Sequence, residues 1–362
     1  MSDPAKNCSM IAPEPQVGRG RQIFSPGNSL EFLAGNVAPS LPRQLEKLAQ
    51  QFGERIALTA PSGDPLTYAR LFEQISRIVQ SLNGLDVGRG DRIALTLPNA
   101  QQTAIAFIGV SSSATCAPLN PSLRVAEFTS IFDALRPKAL MVETGSVSEA
   151  VLAAQMASIP IIELSFEGEE LSRDAILRGE ALGPPAIGGM ASTGDVALIL
   201  FTSGTTAQPK LVPLTHANLL TSALNIATTL KLSPADRCLN IMPLFHIHGL
   251  VAGLLASLVS GGGVVCPTGF SGPLLFQWLA EFQPTWYTAV PTMHQTILRD
   301  APANIEIIRR NPLRFMRSSS AALPRRVMEE LETFFEAPVI ESYGMTEAAH
   351  QMASNPLPPG QR

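Results

Sequence analysis

Two spacings of apolar residues alternate along the chain. In SLPRQLEKLAQQFG and TYARLFEQISRIVQSLNGL, apolar side chains recur every three or four positions, the period that gathers them on one helix face. Ser40 stands where an N-cap belongs and Gly53 where a stop belongs, and the second helix also opens at a hydroxyl residue. Short, nearly unbroken apolar runs follow. RIALTLP ends at Pro98, and ALMVET and IPIIEL repeat the theme, with the small-residue helix AQQTAIAFIGVSSSATC after the first of them. Unbroken runs of this length suit strands covered on both faces, so the rhythm predicts βαβ units around a parallel sheet.

The texture changes at GEALGPPAIGGMASTGD, residues 179–195, where Gly, Pro and Ser mark a loop or linker. Alternation then resumes. ALILF and LVPLTH are extended, RCLNIMPL and GVVCP flank the helix IHGLVAGLLASLVSG, and TWYTAV precedes the helix TMHQTILRDA. LRFMRSSS is a strand, PRRVMEELETFF a helix opened by Pro324, and PVIESYG the last expected strand. Residues 1–38 are rich in Pro, Gly and Ser and read as an irregular arm. The expectation is an α/β fold: that arm, a first α/β subdomain over 39–190 and a second over 191–362, with no residue-level repeat between them.

Composition narrows the function. With 362 residues, 45% of them hydrophobic, the chain can bury a large core. A net charge of −4 with 15% charged residues leaves no broad basic surface, which argues against a nucleic-acid partner. Cys8, Cys116, Cys238 and Cys266 are scattered without a CxxC pair, so neither a zinc site nor a disulfide framework is expected, and a reducing cytoplasmic compartment is. The N-terminal stretch lacks the apolar core of a signal peptide. The most apolar segment, GLVAGLLASLVSGGGVV, is broken by glycines and falls short of the ~20 residues of a membrane span.

The candidate chemistry centres on LILFTSGTTAQPKLVPLTH, Leu198 to His216. Thr202, Ser203, Thr205 and Thr206 offer hydroxyls, Gly204 lets backbone approach a ligand, and Lys210 adds one cation. That set suits a phosphate. A Walker A loop needs glycine before the lysine and Ser or Thr after it; here Pro209 precedes and Leu211 follows. The plain alternative is a polar hairpin with a solvated lysine. Further along, PLFHIHGL sets His246 and His248 two apart ahead of a helix; one, with His246 preferred, suits a carboxylate ligand, the other a structural hydrogen bond. RSSSAALP places small residues at a strand end, where backbone can meet a ligand or simply turn. ESYGMTEAAH offers an aromatic ring, a hydroxyl and a hard carboxylate within five residues.

FTSGTTAQPKLVPLTH resembles the phosphate-loop signature of the adenylate-forming enzymes, which include acyl-CoA synthetases, adenylation domains of peptide synthetases and luciferases. Ala207 and Leu211 depart from the usual TSGTTGxPKGV form. Across about residues 40–362 the other stretches match in order, and within the family TWYTAVPTMHQ and MTEAAHQMASNPLPPG most resemble oxalate–CoA ligases. The resemblance implies two doubly wound αβαβα subdomains, an incomplete β-barrel subdomain and an absent C-terminal lid, since the ribose-binding aspartate, the hinge and the lid lysine cannot be located. It implies ATP, Mg²⁺ and coenzyme A, or a carrier phosphopantetheine, as cofactors. ATP contacts fall on Thr202, Ser203, Gly204, Thr205, Thr206, Lys210, Ser320, Ala321, Ala322, Glu341, Ser342, Tyr343, Gly344 and Thr346. Tyr343 stacks on adenine, Thr346 reaches the α-phosphate, Glu347 holds the metal, and Lys210, Thr346, Glu347 and His246 carry catalysis. A small carboxylic acid such as oxalate meets His246, Ser319 and His350, whereas His294 reads as packing. Expected partners are that acid and the missing lid, with a carrier protein as the alternative thiol donor and a non-catalytic nucleotide-binding module as the reading from another class. Weak adenylation at most is expected of this chain alone.

Overall fold

The computed structural model describes residues 39–61, 63–98, 100–167, 174–183, 187–202 and 210–360. Helix α1 (Leu41–Phe52) starts after Ser40 and stops at Gly53, as the pattern predicts. Strands β1 (Ile56–Ala60) and β2 (Gly63–Thr67) precede α2 (Tyr68–Gly84), whose Thr67 hydroxyl accepts from the Arg70 amide. Then follow β3 (Arg92–Thr96), α3 (Gln101–Ser111), β4 (Thr115–Pro118), α4 (Val125–Leu135), β5 (Ala139–Glu143), α5 (Glu149–Met156), β6 (Ile161–Glu167) and β7 (Asp174–Arg178). Strands β8 (Val196–Thr202) and β9 (Lys210–Thr215) form a hairpin leading into α6 (His216–Thr229).

The second run holds β10 (Arg237–Asn240), α7, β11 (Gly263–Val265), α8 (Gly272–Phe282) and β12 (Trp286–Ala289). It continues with α9 (Pro291–Asp300), α10 (Ile305–Arg310), β13 (Phe315–Ser318), α11 (Arg325–Phe335), β14 (Val339–Met345) and β15 (His350–Ser354). Helix α7 is π-wound over His248–Leu255 and α-wound over Ala256–Val259. PVIESYG is therefore not the last strand; β15 returns antiparallel to it.

Two sheets result, ordered β7-β6-β5-β3-β4-β8-β9 and β15-β14-β13-β12-β10-β11-β1-β2. Inner strands are parallel, and the edges β7, β9, β15 and β2 are antiparallel. Sheet membership does not follow the expected break at residue 190. β1 and β2 belong with the later strands, since β1 pairs parallel with β11, while β8 and β9 close the earlier sheet through β4. The glycine- and proline-rich stretch marks a surface passage, whereas pairing is decided by which buried edge still needs hydrogen bonds. The core supports this: Leu58, Tyr68, Phe107, Val251 and Trp286 are all buried in one cluster that spans both sheets. Leu211, the departure next to Lys210, lies in β9 opposite Phe201, both packed on an apolar cluster. Among the described residues, no helix is long and apolar enough to cross a membrane.

Candidate active site

Most of the described candidate residues lie near the C-terminal ends of inner strands, where doubly wound sheets leave a crevice. In the first sheet, β8 ends at Thr202, whose ladder partner is Lys210 at the start of β9. In the second, β14 runs into a single 3₁₀ turn, Thr346–Ala348, that presents Glu347. Lys210 Nζ lies 3.9 Å from Glu347 Oε1, so the two sheets meet at their charged residues. Ser203, Gly204, Thr205 and Thr206 lie outside the described residues.

Two adjoining clefts open here. The larger, of about 600 Å³, is lined by Ser320, Ala321 and Ala322 after β13, by Glu341, Ser342, Tyr343 and Gly344 of β14, and by Ala353, Ser354 and Asn355. Seven of these ten were candidates for nucleotide contact; the β15 residues and Asn355 were not. Tyr343 is 66% exposed, open to a flat ligand. Glu341 Oε1 accepts from the Leu323 amide at 3.2 Å, which ties the turn after β13 to β14. At Gly344 any Cβ would overlap the His350 carbonyl oxygen, so only glycine lets β15 fold back there.

The second cleft, of about 350 Å³, takes its walls from Phe201, His246, His248, Val290, Ser319, Ser320, Gly344, Thr346 and His350, among others. Ser320 and Gly344 line both clefts and mark where they join. His246 is exposed at the mouth with its ring 4.6 Å from that of Phe245. His248 is buried, its Nδ1 3.1 Å from Ser320 Oγ and its Nε2 2.6 Å from Thr288 Oγ1. One ring is thus open and the other hydrogen-bonded, and both line the cleft. His350 begins β15 and sits edge-on to His248, with 4.9 Å between centroids; its Nδ1 is buried without a partner among the described residues. Ser319 lines the cleft, but its hydroxyl donates to the Ser342 carbonyl at 3.0 Å. His294, read as packing, is fully buried and bonded to the Tyr287 hydroxyl.

The electrostatics keep this cleft neutral but polarised. Burial pushes His248 and His350 below the ordinary imidazole range, and the Arg317 guanidinium pushes both in the same direction. Neutral imidazoles can donate one hydrogen bond each without bringing a counter-charge. Arg317 itself is fully buried on β13, and burial pulls it down to about 9. Sequence reasoning passed over Arg317, Thr288 and Gln351, which support the cleft from beneath. The available signal was the arginine of RSSSAALP, a charge inside an otherwise apolar strand.

No cluster of three or more His, Cys, Asp or Glu is gathered among the described residues. Glu347, solvent-accessible beside Lys210, suits a hard cation that takes one carboxylate and completes its shell with phosphate oxygens and water.

The family model described as AMP-binding enzyme matches residues 45–362. The oxalate–CoA ligase of Arabidopsis thaliana is 39% identical over 320 residues, covering 87% of this chain and 62% of the relative. The oxalate–CoA ligase of Saccharomyces cerevisiae is 38% identical over 302 residues, covering 76% and 54%. The chain thus spans about three fifths or less of the length of these curated relatives. The crystal structure of apo MatB from Rhodopseudomonas palustris matches with a TM-score of 0.73 at 23% identity, over 90% of this chain and 63% of that one, a likeness of fold.

Proposed function

Because this chain belongs to the AMP-binding enzyme family, we propose that the protein activates a small carboxylic acid with ATP and passes the acyl group to coenzyme A, oxalate being the acid. The observation that carries the reading is the approach of Lys210 to Glu347 at 3.9 Å, beside two clefts that join at Ser320 and Gly344. The larger cleft has the size and the exposed ring for adenosine; the smaller has short polar walls for a compact acid.

In this reading the acid lies against His246 and His350, which hold its carboxylates by hydrogen bonds. One carboxylate oxygen attacks the α-phosphorus near Thr346, the bond to the β-phosphate oxygen breaks, and pyrophosphate leaves. A thiolate then attacks the acyl carbon of the adenylate and AMP departs. Lys210 offsets charge on the transferring phosphate, an effect that is largest in a site shielded from water. Glu347 would hold magnesium, which when bound neutralises phosphate charge. Tyr343 would stack on adenine. The two curated relatives named above are CoA ligases, which favours coenzyme A over a carrier protein as the acceptor.

The test is a thermal-shift titration with ATP, magnesium and a panel of acids. A ligand present at about a hundred times its Kd stabilises by about 2.7 kcal/mol, a shift of several degrees. Oxalate with ATP should raise the midpoint further than acetate with ATP. No shift with ATP, or shifts indifferent to the acid, would remove the proposal.

A further inference from the structure

We propose that Arg317 is a positioning residue for carboxylate recognition: through His248 and Thr288 it fixes the Ser320 hydroxyl as a hydrogen-bond donor at the junction of the two clefts. The inference deepens the acid-pocket reading above, and its first measurement does not depend on it.

Arg317 presents only donors, and a guanidinium stays charged at neutral pH. Its Nη1 lies 3.4 Å from His248 Nε2 and 3.5 Å from Thr288 Oγ1, and its Nη2 lies 3.2 Å from Gln351 Oε1. All three partners are neutral. A hydrogen on His248 Nε2 would sit beside the guanidinium hydrogens, so the nearby cation favours the lone pair on Nε2. It then accepts from Thr288, whose hydroxyl is 2.6 Å away and turns its own lone pairs toward Arg317. A neutral imidazole with Nε2 bare has its hydrogen on Nδ1. That hydrogen goes to Ser320 Oγ at 3.1 Å.

Ser320 therefore accepts from His248, and its own hydrogen is free to be given elsewhere. Ser320 lines both clefts, so that hydrogen is offered where an acid oxygen would meet a phosphate. The opposite tautomer would reverse the chain. Ser320 would have to donate to Nδ1 and would turn only lone pairs toward an approaching anion. One buried cation thus decides whether the junction attracts or repels a carboxylate. His350, whose buried Nδ1 has no hydrogen-bond partner among the described residues, lines the same smaller cleft.

The test is a long-range ¹H–¹⁵N correlation spectrum of the histidine rings on the ligand-free protein, with His248 assigned by its loss in H248N. The expected parent signal is the Nδ1–H tautomer. Arg317→Met should move His248 toward Nε2–H, since Thr288 can then accept, and should weaken oxalate binding in the presence of AMP about tenfold by calorimetry. Arg317→Lys keeps the charge and should hold both the tautomer and the affinity within about threefold. An Nε2–H ring in the parent overturns the proposal, and does so even if Arg317→Met fails to fold. An unchanged tautomer and affinity in Arg317→Met also overturns it. An Nδ1–H ring in a parent that binds no oxalate supports the hydrogen-bond chain and overturns the oxalate reading alone.

Discussion

Replacing Glu347 by Gln separates a structural carboxylate from one that serves a ligand. In the folded protein this side chain faces Lys210 Nζ at 3.9 Å, with 65% of the lysine side chain and 34% of the glutamate side chain exposed. Two unit charges at that distance attract by about 1 kcal/mol in water and by about 4 kcal/mol at an effective dielectric of 20. With the lysine so open, the water limit is nearer. Ordering two flexible side chains takes back part of the gain, leaving roughly 0–1 kcal/mol. The variant should therefore melt within about 2 °C of the parent.

Nucleotide binding should respond quite differently, and with a sign that depends on the metal. With magnesium present, losing a charged contact to the bound ion should cost about 2 kcal/mol, roughly a thirtyfold rise in Kd for ATP. With EDTA in place of magnesium, the same substitution removes a negative charge next to the polyphosphate. ATP should then bind as well as in the parent, or better. Calorimetry of both proteins under both conditions, paired with thermal melts, gives the four numbers needed. If Glu347→Gln weakens ATP equally with and without magnesium, or lowers the melting point by more than 5 °C, the carboxylate serves the fold and the metal role is wrong.

Two further outcomes follow from the same geometry. Tyr343→Ala removes an exposed ring, so it should leave the melting point nearly unchanged while weakening AMP by about 1–3 kcal/mol of stacking, read by calorimetry; unaltered AMP affinity would place the base elsewhere. Burial holds His294 and His216 down at about 4, so between pH 6.5 and 4 the unfolded chain binds protons that the folded chain does not, and stability falls as pH falls. At pH 5 each should have cost roughly 2 kcal/mol relative to neutrality. His294→Asn should flatten the pH dependence of guanidinium unfolding between pH 7 and 5 by that amount, and a slope unchanged in the variant would contradict the burial argument.

Periodicity made the amphipathic helices legible, because α1 and α2 bury one face and solvate the other. The inner strands were legible for the opposite reason, since β3, β5 and β12 are largely apolar runs covered on both sides. What local pattern cannot carry is partnership. RIALTA and GDPLT were not read as strands, and nothing in RIALTA says that β1 pairs with β11 far along the chain or that β8 and β9 join the earlier sheet. HGLVAGLL is apolar all round, which removes the periodicity that would distinguish π from α winding. β15 was missed because HQMAS is short and polar, an edge strand with one face to solvent. At the site, Lys210, Glu347, His246 and His350 were legible as chemistry carried by motifs. Arg317 was not, because a buried cation is defined by its surroundings, and those come from β12, α7 and β15.

The strained backbone helps explain why the clefts lie where they do. Ser320, Ala349 and His350 all have positive φ, at +73°, +52° and +103°. For residues with a Cβ such conformations cost on the order of 1 kcal/mol each and persist only where the surroundings over-determine them. Those surroundings are present. The Ser319 amide donates to the Ala289 carbonyl and its hydroxyl to the Ser342 carbonyl, fixing the chain just before Ser320. The Ala349 carbonyl accepts from the Ser222 hydroxyl at 2.6 Å, and the Ala349 amide donates to the Thr346 carbonyl. Relaxing Ser320 would carry its hydroxyl away from the junction of the clefts, and relaxing Ala349 or His350 would also disturb the start of β15, where His350 pairs with Met345. The left-handed backbone thus shapes the cavity walls, and at His350 it also sets the return of β15, so a rigid frame holds a few polar groups in place for a ligand.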